Sequence, residues 1–241
     1  MLSKSFKEKV SKALPQYEFD KFDMLGRGQN GTAYDIGNGI VLKLTTDEKE
    51  AFASNVIKGK KLKYTNEIYD VFSFIDINKT RTYLIFQKLL AEISDKDVNV
   101  MIDEFCDFLA ESGNYWKPTD SESRIKKILD SFFSIYQEND TVFYEKFLKK
   151  RDFFKKLYAF ILDSKKELEG YKVFFYDYHS GNIMLDSKGD FKLIDLGYSA
   201  APETEIELKV LESFKKFFNG RTSGKRYTRE NCEDLPTIQI Y

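Results

Sequence analysis

The stretch Phe174-Phe175-Tyr176-Asp177-Tyr178-His179-Ser180-Gly181-Asn182-Ile183-Met184-Leu185, continued by Asp186-Ser187-Lys188-Gly189-Asp190-Phe191-Lys192-Leu193-Ile194-Asp195-Leu196-Gly197, decides how the rest of the chain is read. Ile183–Leu185 and Phe191–Ile194 are short apolar runs on either side of the turn signal Ser187-Lys188-Gly189-Asp190, and Lys172–Phe175 reads as a further short strand. The stretch is therefore a loop, a hairpin, and a second loop folded back beside the first. Asn182 stands five residues after Asp177, and Asp195 thirteen after Asn182. Singly, Asp and Asn are commonest as turn formers. At this combined spacing they fit another chemistry. Asp177 can accept or orient the proton of an attacking hydroxyl, while Asn182 and Asp195 can supply the hard oxygen ligands that magnesium prefers when it bridges protein to phosphate.

Upstream, Gly26-Arg27-Gly28-Gln29-Asn30-Gly31 follows Phe22, Met24 and Leu25 and precedes Thr32-Ala33-Tyr34-Asp35-Ile36. Three glycines at this spacing are a weak signal alone and also occur in dinucleotide folds. There, however, a helix follows the glycines directly. Here a strand, the tight turn Gly37-Asn38-Gly39 and the strand Ile40-Val41-Leu42-Lys43-Leu44 follow. Gly26, Gly28 and Gly31 thus belong to a strand-turn-strand flap whose backbone N–H groups can lie over a triphosphate. Lys43, in the middle of an apolar strand twelve residues after Gly31, is placed to hold the α- and β-phosphates. A carboxylate on the next helix would orient it; Glu50 is the first candidate and Glu48 the second.

Around these motifs, Phe6, Val10 and Leu14 mark a lead-in helix over 3–14 that Pro15 ends. Thr46 or Asp47 can cap a helix to about Lys61, with Ala53, Val56 and Ile57 on its buried face. Residues 66–77 and 82–90 carry strand patterns. Helices are expected at 95–112, 121–137, 141–168 and 203–218, and the Lys149–Arg151 and Lys155-Lys156 runs read as a solvated face. The fold class is α+β: a five-stranded antiparallel sheet with one helix, then a mainly helical part. The segments expected are an N-terminal helix at 1–18, a first lobe at 19–90, a second at 91–220 and a polar tail at 221–241.

The chain has 241 residues, 42% of them hydrophobic, which excludes a disordered or low-complexity protein. With 38 Lys+Arg against 39 Asp+Glu there is no global charge to attract nucleic acid or an anionic membrane. Cys106 and Cys232 are too few for a disulfide framework, and no apolar run approaches a membrane span, so a soluble protein of a reducing cytoplasm is expected. His179 is the single histidine, which leaves no His-rich metal site.

Over residues 20–218 the sequence resembles the protein-kinase-like fold, with the flap, Lys43, Asp177…Asn182 and Asp195-Leu196-Gly197 in family order. The resemblance implies a bilobal architecture using ATP and Mg²⁺. It makes Asp177, Lys43 and Asn182 catalytic, and Asn182 and Asp195 metal ligands. Gly26, Gly28, Gly31, Lys43, Glu50, Gln87 and Leu89 would bind the nucleotide. It further implies that Tyr83–Leu89 runs into a hinge, with Phe86 as gatekeeper and backbone groups of Gln87 and Leu89 facing adenine. Leu25, Tyr34, Val41, Leu185 and Ile194 would sandwich the ring. Phe175-Tyr176 stands where typical kinases carry His-Arg, and Asp177-Tyr178-His179-Ser180-Gly181-Asn182 is similar to the Asp-x-His-x-x-Asn loop of aminoglycoside and choline kinase relatives and of compact bacterial and viral kinases. His179 is expected to order this loop by hydrogen bonds. Three residues separate Gly197 from Ala201-Pro202-Glu203, so a long regulated activation segment is not expected, and with 44 residues after Gly197 the second lobe looks pared down.

Three functions follow from the resemblance. One is a minimal Ser/Thr protein kinase with a protein hydroxyl as acceptor, in the cytoplasm (the host's, if the compactness reflects a bacterial virus). Another is a kinase for an aminoglycoside, choline or sugar amine. The third is a non-catalytic nucleotide-binding module, against which the joint presence of Lys43, Asp177, Asn182 and Asp195 argues. Arg221, Lys225, Arg226 and Arg229 in the tail tilt the choice toward a protein substrate over a cationic small molecule.

Overall fold

The computed structural model describes residues 4–75, 81–112, 121–139 and 141–197. The expected helix at 203–218 and the tail at 221–241 lie outside the described residues. Helix α1 (Lys4–Ala13) leads into strands β1 (Asp23–Arg27), β2 (Gly31–Gly37) and β3 (Ile40–Thr45); helix α2 (Glu48–Ile57) and strands β4 (Ile68–Ile75) and β5 (Arg81–Lys88) follow. The five strands form one antiparallel sheet in the order β1-β2-β3-β5-β4. Helices α3 (Lys96–Glu111), α4 (Glu122–Asn139), α5 (Thr141–Lys149) and α6 (Arg151–Gly170) come next, then the hairpin β6 (Ile183–Leu185) and β7 (Phe191–Leu193). The molecule is α+β, as the sequence pattern implied. Among the described residues no helix is long and apolar enough to cross a membrane.

Alternation along the strands gives the sheet two apolar faces. Tyr34, Ile36, Leu42, Leu84 and Phe86 pack with Val10, Leu14 and Tyr17, so α1 and the segment after it cover one face. Tyr17 stacks on Phe86 at 3.8 Å between ring centroids and donates from its hydroxyl to Asp70 at 2.7 Å. On the other face Val71, Tyr83 and Ile85 join Ala53 and Ile57 of α2 in a core that continues into α3, α4 and α6. Phe105, Phe132, Phe154 and Tyr158 lie at its helical centre with edge-on and tilted ring contacts.

Three boundaries differ from expectation. Helix α2 ends at Ile57, four residues early, because Gly59 takes a left-handed φ of 70° and donates its N–H to Ile68 O at 2.9 Å. The helix expected over 141–168 is two, divided at Lys150 (φ −108°, ψ 17°). Its apolar spacing slips there: Tyr144 and Leu148 would be continued by Arg151-Asp152, whereas the stripe resumes at Phe153-Phe154. Lys172–Phe175 is no strand beyond a single bridge at Phe175. Lys172, at φ 63°, and Val173 instead close α6 with N–H bonds to Glu169 O and Leu168 O, both at 3.0 Å.

The hairpin β6–β7 is fastened at both edges. Thr65 bridges Leu193, flanked by Asn66 N–H to Leu193 O and Leu193 N–H to Tyr64 O, both 2.8 Å. Ala91 and Leu185 exchange bonds of 3.0 and 2.9 Å. The segments that lead into β4 and out of β5 thus fix the hairpin, and the loops flanking it, against the sheet.

Candidate functional site

A cleft of about 620 Å³ opens between the sheet and the β6–β7 hairpin. Gly26, Gly28, Gly31, Lys43, Glu50, Gln87, Leu89, Asp177, Asn182 and Asp195 all line it. Residues separated by up to 169 positions in sequence therefore meet in one place.

At its centre, Lys43 Nζ lies 2.5 Å from Glu50 Oε1 and 2.5 Å from Asp195 Oδ2. Strand β3 carries the lysine inward opposite Ile85 of β5. Asp47 caps α2 by accepting from the N–H groups of Lys49 (2.8 Å) and Glu50 (3.3 Å), which sets Glu50 in the first helical turn facing Lys43. Glu48 turns elsewhere and accepts from the Tyr83 hydroxyl at 3.2 Å. Burial works against the Lys43 charge, but Glu50 and Asp195 together outweigh it and hold the ammonium above its ordinary pKa. Burial likewise opposes ionisation of Asp195, and Lys43 outweighs it, so that carboxyl sits below its ordinary range. At Glu50 burial dominates, Asp195 adds to it, and the carboxyl is pushed up to about 7 against the pull of Lys43. Lys43 and Asp195 are the firmly charged members of the group.

The loop before β6 is anchored from two helices. Asp103 of α3 accepts from Ser180 N–H at 2.6 Å and Ser180 Oγ at 2.9 Å, and Tyr178 Oη lies 3.1 Å from Ser164 Oγ of α6. Asn182 Nδ2 donates to Asp177 O at 2.9 Å and to Asp177 Oδ2 at 3.3 Å, which leaves its amide oxygen for the cleft. Gly181 N–H donates to His179 Nδ1 at 3.1 Å, so the histidine orders its own loop as expected, and its Nε2 lies 3.6 Å from Asp177 Oδ2. Asp195 Oδ1 accepts from Gly197 N–H at 2.9 Å. Asn182 and Asp195 offer the oxygen donors that magnesium takes. Among the described residues no three His, Cys, Asp or Glu side chains form a cage of their own. That donor set suits an ion held by two side chains and completed by phosphate and water.

The flap glycines fall into two kinds. A Cβ on Gly31 would meet Leu44 O at 2.5 Å, so the chain itself requires glycine there. A Cβ on Gly26 or Gly28 would meet nothing within 4 Å. Their bareness leaves backbone open to the cleft.

The hinge region departs from expectation. Phe86 is fully buried on the face covered by α1 and cannot act as gatekeeper; alternation by one residue puts Gln87 into the cleft instead. The same alternation sends Tyr34 and Leu185 away from the cleft, where Ala33 and Met184 stand with Leu25, Val41 and Ile194. Gln87 lies in an inner strand, paired with Val41 on one side and Ile68 on the other, and the Leu89 N–H donates to Gly39 O at 2.8 Å. Neither presents its N–H to the cleft as anticipated.

Sequence reasoning did not single out Asp103 or Asn66, and took Asp47 only for a cap. Asn66 is buried beside the cleft and donates from Nδ2 to Lys88 O at 2.9 Å. Only Asp47, three residues before Glu50, carries a local signal, that of a helix start; Asp103 and Asn66 act on segments far away in sequence. No protein-family model matches the chain, and no curated protein matches it either.

Proposed function

We propose that the chain is an ATP- and magnesium-dependent phosphotransferase of protein-kinase-like, bilobal build, most simply a minimal Ser/Thr protein kinase without a regulated activation segment. The observation that carries this reading is the ammonium of Lys43 held between Glu50 and Asp195, because a charge fixed by two carboxylates at the wall of a glycine-roofed cleft is set to receive phosphate. The sheet with α2 forms one lobe in this reading, and the helices with the β6–β7 hairpin the other.

Lys43 offsets charge on the α- and β-phosphates, and the open backbone at Gly26 and Gly28 lies over them. Asn182 and Asp195 would hold magnesium, which supplies neutralisation of the phosphate charge. Asp177, with its Oδ2 steadied by Asn182, orients the acceptor hydroxyl and takes its proton as the new O–P bond forms and the β–γ bridging bond breaks, releasing ADP. Glu50 keeps Lys43 in place. The Asp-x-His-x-x-Asn form of the loop favours a second reading, in which the same steps serve a small-molecule alcohol.

Incubation with γ-labelled ATP and Mg²⁺, separately with a cell lysate and with a panel of amino alcohols and amino sugars, tests both. Labelled protein that disappears with Asp177→Asn supports the first reading. Label confined to a small alcohol replaces it with the second, and binding without any transfer leaves a non-catalytic module.

A further inference from the structure

Gln87 is 8% exposed, its side chain lines the cleft, and no hydrogen bond joins its carboxamide to any described residue. Its carboxamide, with two N–H donors and a carbonyl acceptor, is not among the fully buried unpaired groups, so it reaches the open cleft and is available to a polar group that enters there. Its surroundings narrow the choice. Val41, Ala33 and Leu25 of the sheet and Met184 and Ile194 of the hairpin supply apolar walls suited to a flat ring. Three groups of the neighbouring backbone are already engaged: Lys88 N–H donates to Glu67 O at 3.0 Å, Lys88 O accepts from Asn66, and Leu89 N–H donates to Gly39 O. A donor beside an acceptor on a flat ring is the hydrogen-bonding edge of a purine, and a carboxamide matches it with two bonds at once.

Resting on the nucleotide-binding reading above, we infer that the Gln87 side chain, rather than the backbone of the strand end, reads the base of the bound nucleotide. Gln87 is thereby the residue that sets nucleotide specificity. The carboxamide accepts from the 6-amino group of adenine and donates to the ring nitrogen beside it.

The test is direct binding, by calorimetry with Mg²⁺, of ATP, GTP and purine riboside triphosphate, which lacks the 6-amino group. Wild type, Gln87→Leu and Gln87→Glu are compared, each checked for an unchanged thermal transition. Wild type is expected to bind ATP about tenfold more tightly than purine riboside triphosphate, and Gln87→Leu to bind the two equally. Gln87→Glu keeps the shape but can only accept, so its ATP-to-GTP preference moves toward GTP, whose base offers adjacent N–H donors. Either variant suffices if the other fails to fold. An unchanged ATP-to-purine ratio in Gln87→Leu, or an unchanged ATP-to-GTP ratio in Gln87→Glu, overturns the role of the side chain while leaving the nucleotide reading standing. Wild type that binds none of the three triphosphates overturns the nucleotide reading itself.

Discussion

Strands β3 and β5 present two faces built from alternate residues, and the faces could hardly differ more. Leu42, Leu84 and Phe86 lie under α1 and the Tyr17 ring in a dry aromatic seam. Their immediate neighbours Val41, Lys43 and Gln87 line a cleft that sets charged and polar groups among apolar walls. One face spends its residues on stability, and the other carries a cation held between Glu50 and Asp195 and an amide that opens into the cleft. A shift of one residue along the strand separates a structural position from a chemical one.

The largest effect that would sharpen this contrast belongs to the cleft. On the phosphotransferase reading proposed above, Asp177→Asn is expected to lower phosphoryl transfer by about a thousandfold while nucleotide affinity, read by calorimetry, stays near wild type. A comparable loss of affinity would move Asp177 from proton handling to binding. Next, on the opposite face, Phe86→Ala should cost about 3–5 kcal/mol of stability in urea unfolding, with little change in the nucleotide affinity of the folded protein. Affinity that falls as steeply as stability would mean that the two faces are not independent.

Within the cleft, Glu50→Gln replaces the carboxyl that holds Lys43 by a neutral amide and, above about pH 7 where Glu50 ionises, should weaken the productive complex by about 1.5–3 kcal/mol, read as a fall in kcat/KM. Glu48→Gln, whose amide oxygen can still accept from the Tyr83 hydroxyl, should stay close to wild type. Equal losses in both would break the assignment of Glu50. The smallest pair concerns the flap. Gly31→Ala should lower stability by about 1–3 kcal/mol, because its methyl meets Leu44 O. Gly28→Ala should leave stability within about 0.5 kcal/mol and act on nucleotide affinity, a difference that a thermal melt beside a binding titration resolves.

Local patterns made most of the sheet legible, because strand alternation and the Gly37-Asn38-Gly39 turn, with φ of 94°, 53° and 72°, are encoded within a few residues. The meeting of Lys43 with Asp195 was implied by the resemblance alone, since no local rule brings together side chains 152 residues apart. The orientation of Phe86 and Gln87 was misjudged. Tyr83–Leu89 is apolar on both faces, so its pattern does not say which face meets α1. The break at Lys150 was missed since both sides of it favour helix, and only the slip in the apolar stripe records it.

The sequence by itself determined the α+β element order and the glycine flap, because propensity and turn chemistry act over short range, while the polar residues of the cleft were legible only through the resemblance. Tertiary structure alone decided that Glu50 rather than Glu48 meets the lysine, that Asp103 and Asn66 steady the loop and the strand end, and that Gln87 faces the cleft. Those outcomes depend on which surfaces become buried against each other, and burial is a property of the packed whole.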